Sequence, residues 1–322
     1  MLNRRDTLAL LAAGAALAVT GKAAFAADDA KTFRIGFQKG GVLSLAKAAG
    51  AIEARLAPRG IAVQWNEFTS GPPLLEALGA GALDFGSTGD VPPLFAQAAG
   101  GDLLYVAATR SAVDGSAILV KADSPIKTLA DLKGKKVAFK RGSSAHNFIV
   151  KALEKGGLAP GDVNSLDLAP PDAAAAFASG QIDAWAIWDP YYAVTAQDPT
   201  VRVLATTEGI VDGFGYYLAN GSFTRQNPNV IADALNELKK AGTDAQGHLD
   251  ATAAAISAVN GVPLPIEKIV LARKGADLGS LVALDDTVLA YQQGLAETFF
   301  KLKIVPRQVD IKSAFWTPPS PL

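Results

Sequence analysis

The chain contains no cysteine. That absence removes disulfides, thiol nucleophiles, cysteine-ligated metals and a lipid-modified leader together. Histidine is almost as scarce, with two in 322 residues. His146 and His248 are far apart, and no histidine–carboxylate group has metal-ligand spacing, so neither a metal nor any other cofactor is expected. Excess charge is missing as well: 30 Lys and Arg stand against 31 Asp and Glu, a net charge of -1. Nucleic acid and anionic membrane surfaces are therefore not expected partners. There is no Gly-x-Ser-x-Gly elbow, and Arg141-Gly142-Ser143-Ser144 is neither a Walker loop nor a dinucleotide fingerprint.

The apolar run over 8–19 is too short for a membrane anchor. It follows Arg4-Arg5 and precedes Ala24-Phe25-Ala26, a small-x-small site, so residues 1–26 read as a cleaved signal peptide. The arginine pair lacks an apolar residue two positions on, which leaves both the twin-arginine and the general export route open. The mature protein is expected to be soluble outside the cytoplasmic membrane, with no membrane insertion after cleavage. Roughly 295 residues remain, enough for two lobes with separate cores.

Strand and helix signals alternate: strands at 33–37 and 61–65, helices at 43–56 and 72–79. Such alternation implies an α/β fold with a mainly parallel sheet flanked by helices. A fresh α/β unit starts at 135–139 and continues through a helix at 147–155, a strand at 165–168, a helix at 172–179 and strands at 183–187 and 201–204. The apolar stretches near Ala117 and Gly215 read as two crossovers between lobes. The expected division is 27–117 with 218–322 as lobe 1, and 118–217 as lobe 2.

Two turns carry the chemistry, Ser87-Thr88-Gly89-Asp90 and Gly142-Ser143-Ser144-Ala145-His146-Asn147, and Gln38-Lys39-Gly40-Gly41 makes a third. Each breaks a short strand and enters a helix. Free N–H groups at a helix start, with small hydroxyl residues beside them, favour an anion. The simpler alternative is that Ser87, Thr88, Asp90, Ser143 and Ser144 cap their own helices. Recurrence argues for a shared cleft at the carboxyl ends of the strands. Asp183-Ala184-Trp185-Ala186-Ile187-Trp188-Asp189-Pro190 is a buried strand that ends level with these turns. Its alternation sends Trp185 to the core and Trp188 to the opposite face, towards a pocket rim.

These motifs, with Trp188-Asp189-Pro190-Tyr191-Tyr192 and the late Val305-Pro306-Arg307, resemble the aliphatic sulfonate-binding proteins of bacterial ABC importers, in the wider taurine- and nitrate-binding group. The resemblance implies a two-lobed periplasmic binding protein (type II) with a two-strand hinge, each lobe an α/β sheet, closing on ligand. It implies a monomeric, non-enzymatic periplasmic receptor for a small sulfonate, with an ABC permease and its ATPase as partners. By the same resemblance Gln38, Thr88, Gly89, Asp90, Gly142, Ser143, Ser144, His146, Trp188 and Asp189 bind the ligand. The segment 108–115 departs from the family pattern, and Arg110 within it adds charge near the ligand's tail. The competing readings are a receptor for another small anion (taurine, nitrate or a phosphonate) and an enzyme of the same fold. Enzymes of that kind depend on a reactive cysteine or several histidines.

Overall fold

The computed structural model describes residues 30–278 and 281–319. The expected signal peptide over 1–26 lies outside the described residues. From its start the chain forms β1 (Thr32–Phe37), α1 (Gly41–Ala49), α2 (Ala51–Leu56), β2 (Ala62–Glu67), α3 (Gly71–Gly79), β3 (Phe85–Thr88), α4 (Val91–Ala99) and β4 (Leu103–Arg110). It then builds β5 (Ser116–Lys121), β6 (Lys136–Phe139), α5 (Ser144–Lys155), β7 (Asn164–Asp167), α6 (Pro170–Ala178), β8 (Ala184–Trp188), α7 (Tyr191–Thr195) and β9 (Val201–Thr206). The last part comprises β10 (Phe214–Asn220), α8 (Gly221–Gln226), α9 (Pro228–Gln246), α10 (Leu249–Asn260), α11 (Leu264–Leu271) and α12 (Asp286–Lys301). The helix expected over 43–56 is two helices, because Gly50 adopts φ 60° and ends α1 in a left-handed turn.

The strands form two five-stranded sheets, ordered β2-β1-β3-β10-β4 and β7-β6-β8-β5-β9. In the first, β1 runs parallel to β2 and β3, while β10 is antiparallel to β3 and β4. In the second, β6 runs parallel to β7 and β8, while β5 is antiparallel to β8 and β9. Each sheet is therefore mixed, and the odd strand has one cause in both. β5 and β10 arrive from the other lobe. They enter at the end where the parallel strands finish, so they must run backwards.

The chain passes between sheets over residues 111–115 and returns over 207–213. The expected boundaries at 117/118 and 217/218 fall inside β5 and β10. The apolar runs that suggested crossovers are strand cores: Ala117, Ile118, Leu119 and Val120 are all fully buried. The connections themselves are short and rich in small and polar residues.

Each sheet has a core on both faces. Leu74, Tyr105, Tyr216 and Phe299 pack on one face of the first sheet, and Phe33, Ile35, Leu235 and Leu238 on the other. In the second sheet Phe148 and Leu153 lie on one side and Phe177 and Trp185 on the other. Trp185 is buried, as its place in the alternation implies. The lobes also meet directly, since α11 places Ile266 against Ala193 of α7.

Candidate functional site

Three strand-to-helix turns face the space between the lobes. In the first, Gly40 and Gly41 have φ of 98° and 75°, a region open to glycine without strain. No side chain caps α1 there. In the second, Thr88 Oγ1 donates to its neighbour's carbonyl, Gly89 O, at 3.0 Å. Asp90 holds the cap position of α4 but makes no cap hydrogen bond. In the third, Ser143 Oγ donates backwards to Lys140 O at 2.7 Å, and α5 again has no side-chain cap. The capping alternative accordingly fails at the second and third turns. The Gln38 amide ties the first turn to the second, its Nε2 donating to Ser87 O at 3.2 Å.

The turns are pressed together across the lobes. A Cβ placed on Gly89 would lie 1.7 Å from Ser144 Oγ, so a larger residue there would force the Ser144 hydroxyl from its position. Beside it, Asp90 is 3% exposed and its Oδ2 accepts from Asn147 Nδ2 at 2.8 Å and from the Tyr291 hydroxyl at 2.7 Å. The first bond comes from the second lobe and the other from α12. Burial pushes the Asp90 carboxyl above its ordinary range, against the pull of hydrogen bonds from Tyr291, Asn147 and Ser144. Gln292 Nε2 fixes the Asp90 carbonyl at 2.7 Å.

The fourth turn, after β8, is built differently. Asp189 Oδ1 accepts from Ala193 N at 3.0 Å, and Arg273 Nε lies 2.7 Å from Asp189 Oδ2. Burial pushes the Asp189 carboxyl up and the guanidinium opposes that push. Arg273 also stacks over Tyr192, 4.1 Å from the ring centroid. Val113 N donates to Lys274 O at 2.8 Å and Lys274 N donates to Asp114 Oδ1 at 2.9 Å. The segment after α11 is thereby strapped over the first crossover.

Between these parts lies a cavity of about 340 Å³. Thr88, Asp90, Ser144 and Asp189 line it, as expected from the sequence. Its apolar wall comes from Phe148, Val211, Val270 and Leu271, and two arginines, Arg110 and Arg273, also line it.

The other expected residues stand behind or beside this cavity. Gln38 and Gly89 hold the turns as described. Gly142 has φ 74° and sits against Phe95 of the first lobe. Ser143 spends its hydroxyl on Lys140. His146 is not a cleft residue: its ring packs 5.0 Å from Phe139 and 5.2 Å from Phe299, and its Nδ1 accepts from Gly142 N at 3.3 Å. Burial in that aromatic setting pushes its imidazole down to about 4, with Arg141 adding to the shift. Helix geometry explains the difference, because residues 144, 147 and 148 share one face of α5 and 146 points away from it. Trp188 does not wall the cavity either. Its half-buried ring packs between the two cores of the second lobe, edge-on to Tyr191.

The same periodicity identifies Asn147 and Phe148, which the sequence reading omitted. Arg273 and Tyr291 carry no local signal, since they come from the segment after α11 and from α12 and meet the site only through the fold. Among the described residues no group of three metal-ligating side chains converges, and no helix is long and apolar enough to cross a membrane.

A mixed α/β sheet in each lobe, two short crossovers and a cavity at the strand ends define the two-lobed solute-binding fold. The chain belongs to the NMT1/THI5-like family, whose model matches residues 57–252. It is 39% identical over 315 residues to a protein of Escherichia coli (strain K12) that bears the name of an aliphatic sulfonates-binding protein, covering 98% of this chain and 97% of that one. Among solved structures it is similar to the alkanesulfonate-binding protein SsuA from Xanthomonas axonopodis pv. citri bound to MOPS. That match has 38% identity and a TM-score of 0.84, over 90% of this chain and 99% of the other. The periplasmic aliphatic sulphonate binding protein SsuA from Escherichia coli matches with 38% identity and a TM-score of 0.79, over 91% and 94%.

Proposed function

We propose that the protein is an extracytoplasmic receptor which captures a small sulfonate between its lobes and delivers it to an ABC importer. The observation that carries this reading is the set of three helix starts left without side-chain caps, facing one another across a cavity. A sulfonate is ionised at every physiological pH and presents three acceptor oxygens. Backbone N–H groups, hydroxyls and helix dipoles suit it without a dedicated countercharge. Thr88 and Ser144 supply hydroxyls from opposite lobes, so binding and closure are one event. Gly89 lets the lobes meet, and Asp90 joins them through Asn147. Names of close relatives support the ligand class, and the periplasmic relative supports a location outside the cytoplasmic membrane, reached by the leader over 1–26.

The receptor reading excludes turnover. The cysteine on which enzymes of this architecture are expected to depend is absent from the sequence. Of the several histidines expected as its alternative the sequence has two, and His146 is buried among phenylalanines. Calorimetry of refolded protein against taurine, short and long alkanesulfonates, aromatic sulfonates, nitrate and sulfate tests the ligand class. Binding of nitrate or sulfate in place of sulfonates overturns it, and sulfite release above background overturns the non-enzymatic role.

A further inference from the structure

The cavity carries one more charge than the capture of a simple sulfonate needs. Five charged side chains line it: Asp90, Arg110, Asp189, Arg273 and Asp277. Four of them are engaged with neighbours. Asp90 accepts from Tyr291 and Asn147, Asp189 and Arg273 form an ion pair, and Asp277 accepts from the Gln246 amide. Arg110 alone has no carboxylate within ion-pair distance among the described residues. Its guanidinium instead lies over the Phe214 ring, 5.2 Å from the centroid. That stacking holds the planar donor fork in place while leaving its N–H groups free.

Register places Arg110 relative to the anion grip. Thr88 pairs with Tyr216, Tyr216 with Ala108, and Phe214 with Arg110. Arg110 is thus two strands across and two residues along from Thr88. With strand spacing of about 4.8 Å and a rise of about 3.4 Å per residue, the two Cα atoms are about 12 Å apart. The arginine stem covers about half of that span. The anion contacts at the two ends take most of what remains, so only a short linker fits between an anion held at Thr88 and Ser144 and a second one at Arg110.

Resting on the sulfonate-receptor reading, we propose that Arg110 receives a second anionic group at the far end of the ligand. The preferred substrates are then short dianions, a sulfonate joined by a few carbons to a carboxylate or to another sulfonate. A guanidinium offers such a group two parallel N–H bonds, which no other unpaired side chain of the cavity can do.

Calorimetry with propane-1-sulfonate, 3-sulfopropanoate and propane-1,3-disulfonate tests this on the refolded full chain. The two dianions are expected to bind at least about tenfold tighter than the monoanion, the effect of one charge-assisted contact. In Arg110→Met that ratio falls to about one. Arg110→Lys keeps the charge without the fork and retains part of the preference. No preference for dianions in the unaltered protein overturns the inference, and so does an equal loss for all three ligands in Arg110→Met, which would place Arg110 on the first sulfonate. Should Arg110→Met fail to fold, the unaltered protein and Arg110→Lys decide alone. Failure of every sulfonate to bind overturns the receptor reading and this inference with it, whereas monoanion binding without dianion preference removes only the inference.

Discussion

The helix starts at the cleft differ from two capped helix starts elsewhere, although other helices away from the cleft, α3 and α9 among them, also begin without a side-chain cap. Away from the cleft, Asn220 accepts from Phe223 N at 3.0 Å and caps α8, and Asp285 accepts from Thr287 N and Val288 N and caps α12. At the cleft, α1, α4 and α5 begin with no side-chain cap, although Asp90 and Ser143 are of the types that cap best. Their polar groups are turned elsewhere: Asp90 to the other lobe and Ser143 to its own loop. The difference teaches that capping chemistry in the sequence marks a helix start without saying what its N–H groups serve. At α5 the side chain turns away and the donors are left for a ligand, whereas at α4 Pro92 and Pro93 have no N–H to offer.

Among the cleft turns, α7 is the exception, and it tests the comparison most severely. Asp189 does cap, and Arg273 holds it from the C-terminal segment with both partners largely buried. Arg273→Met leaves that carboxylate without its countercharge. Removal of one member of a buried pair costs about 3–5 kcal/mol, so urea unfolding of the free protein should show a loss near the lower end of that range. A loss below about 1 kcal/mol would mean that the pair behaves as a surface ion pair and that the strap over the crossover is not structural.

How much of this was legible beforehand differs between local and distant features. Thr88, Asp90, Ser144 and Asp189 could be placed from sequence because a strand, a turn and a helix in succession put them at one end of a sheet. His146 and Trp188 carried the right chemistry in the right blocks and still point elsewhere. For His146 the helical period of α5 already held the answer, since 144, 147 and 148 share a face. For Trp188 strand alternation predicted the face but not the side chains that fill it. Arg273 and Tyr291 were out of reach, because no local pattern links residues 84 and 201 positions from their partners Asp189 and Asp90. The mixed sheets were also hidden: the direction of β5 and β10 depends on which lobe the chain has just left.

Two faces of α5 give the next contrast, between Ser144 at the cavity and His146 behind it. The His146 imidazole is pushed down to about 4 by burial, so it stays neutral in the folded protein while the unfolded chain titrates near 6.5. The unfolded state then binds more protons between those values. Its contribution to stability is present above about pH 6.5 and is lost as pH falls towards 4, by about 3 kcal/mol at most. Asp90 has the opposite sign. Its carboxyl is pushed up, so its contribution is complete below the unfolded value and fades as pH rises through the folded one. His146→Phe should flatten the loss on acidification and Asp90→Asn the loss on the rising side, both read by urea unfolding across pH 4–8. At pH 8, His146→Phe should hold ligand affinity within about twofold, as expected of a residue off the cavity. An unchanged acid slope in His146→Phe would assign that slope to other groups.

Thr88→Val and Ser144→Ala act on affinity. Each removes a cavity-lining hydroxyl that can turn from its present acceptor, Gly89 O or Asp90, to a buried anion, a contact worth about 1.5–3 kcal/mol, or about 10- to 150-fold in Kd. The free protein should lose less than a capped helix would, because neither hydroxyl caps its helix and each makes a single hydrogen bond, Thr88 to Gly89 O and Ser144 to Asp90.

Asp285→Ala should do the reverse and gives the smallest effect. Asp285 caps α12 by accepting from two backbone N–H groups, at 3.0 and 2.9 Å, so its removal lowers stability by about 1 kcal/mol. It does not line the cavity, and the affinity of the folded protein should stay where it was. The two experiments must be paired, with melting recorded without ligand and Kd measured well below the melting range, because ligand raises apparent stability by mass action and can hide a lost cap. If Asp285→Ala weakens binding as much as Ser144→Ala does, or if Ser144→Ala lowers the melting temperature as much as Asp285→Ala does, capped and uncapped helix starts are not doing different jobs. The free N–H groups at the cleft would then be incidental to binding.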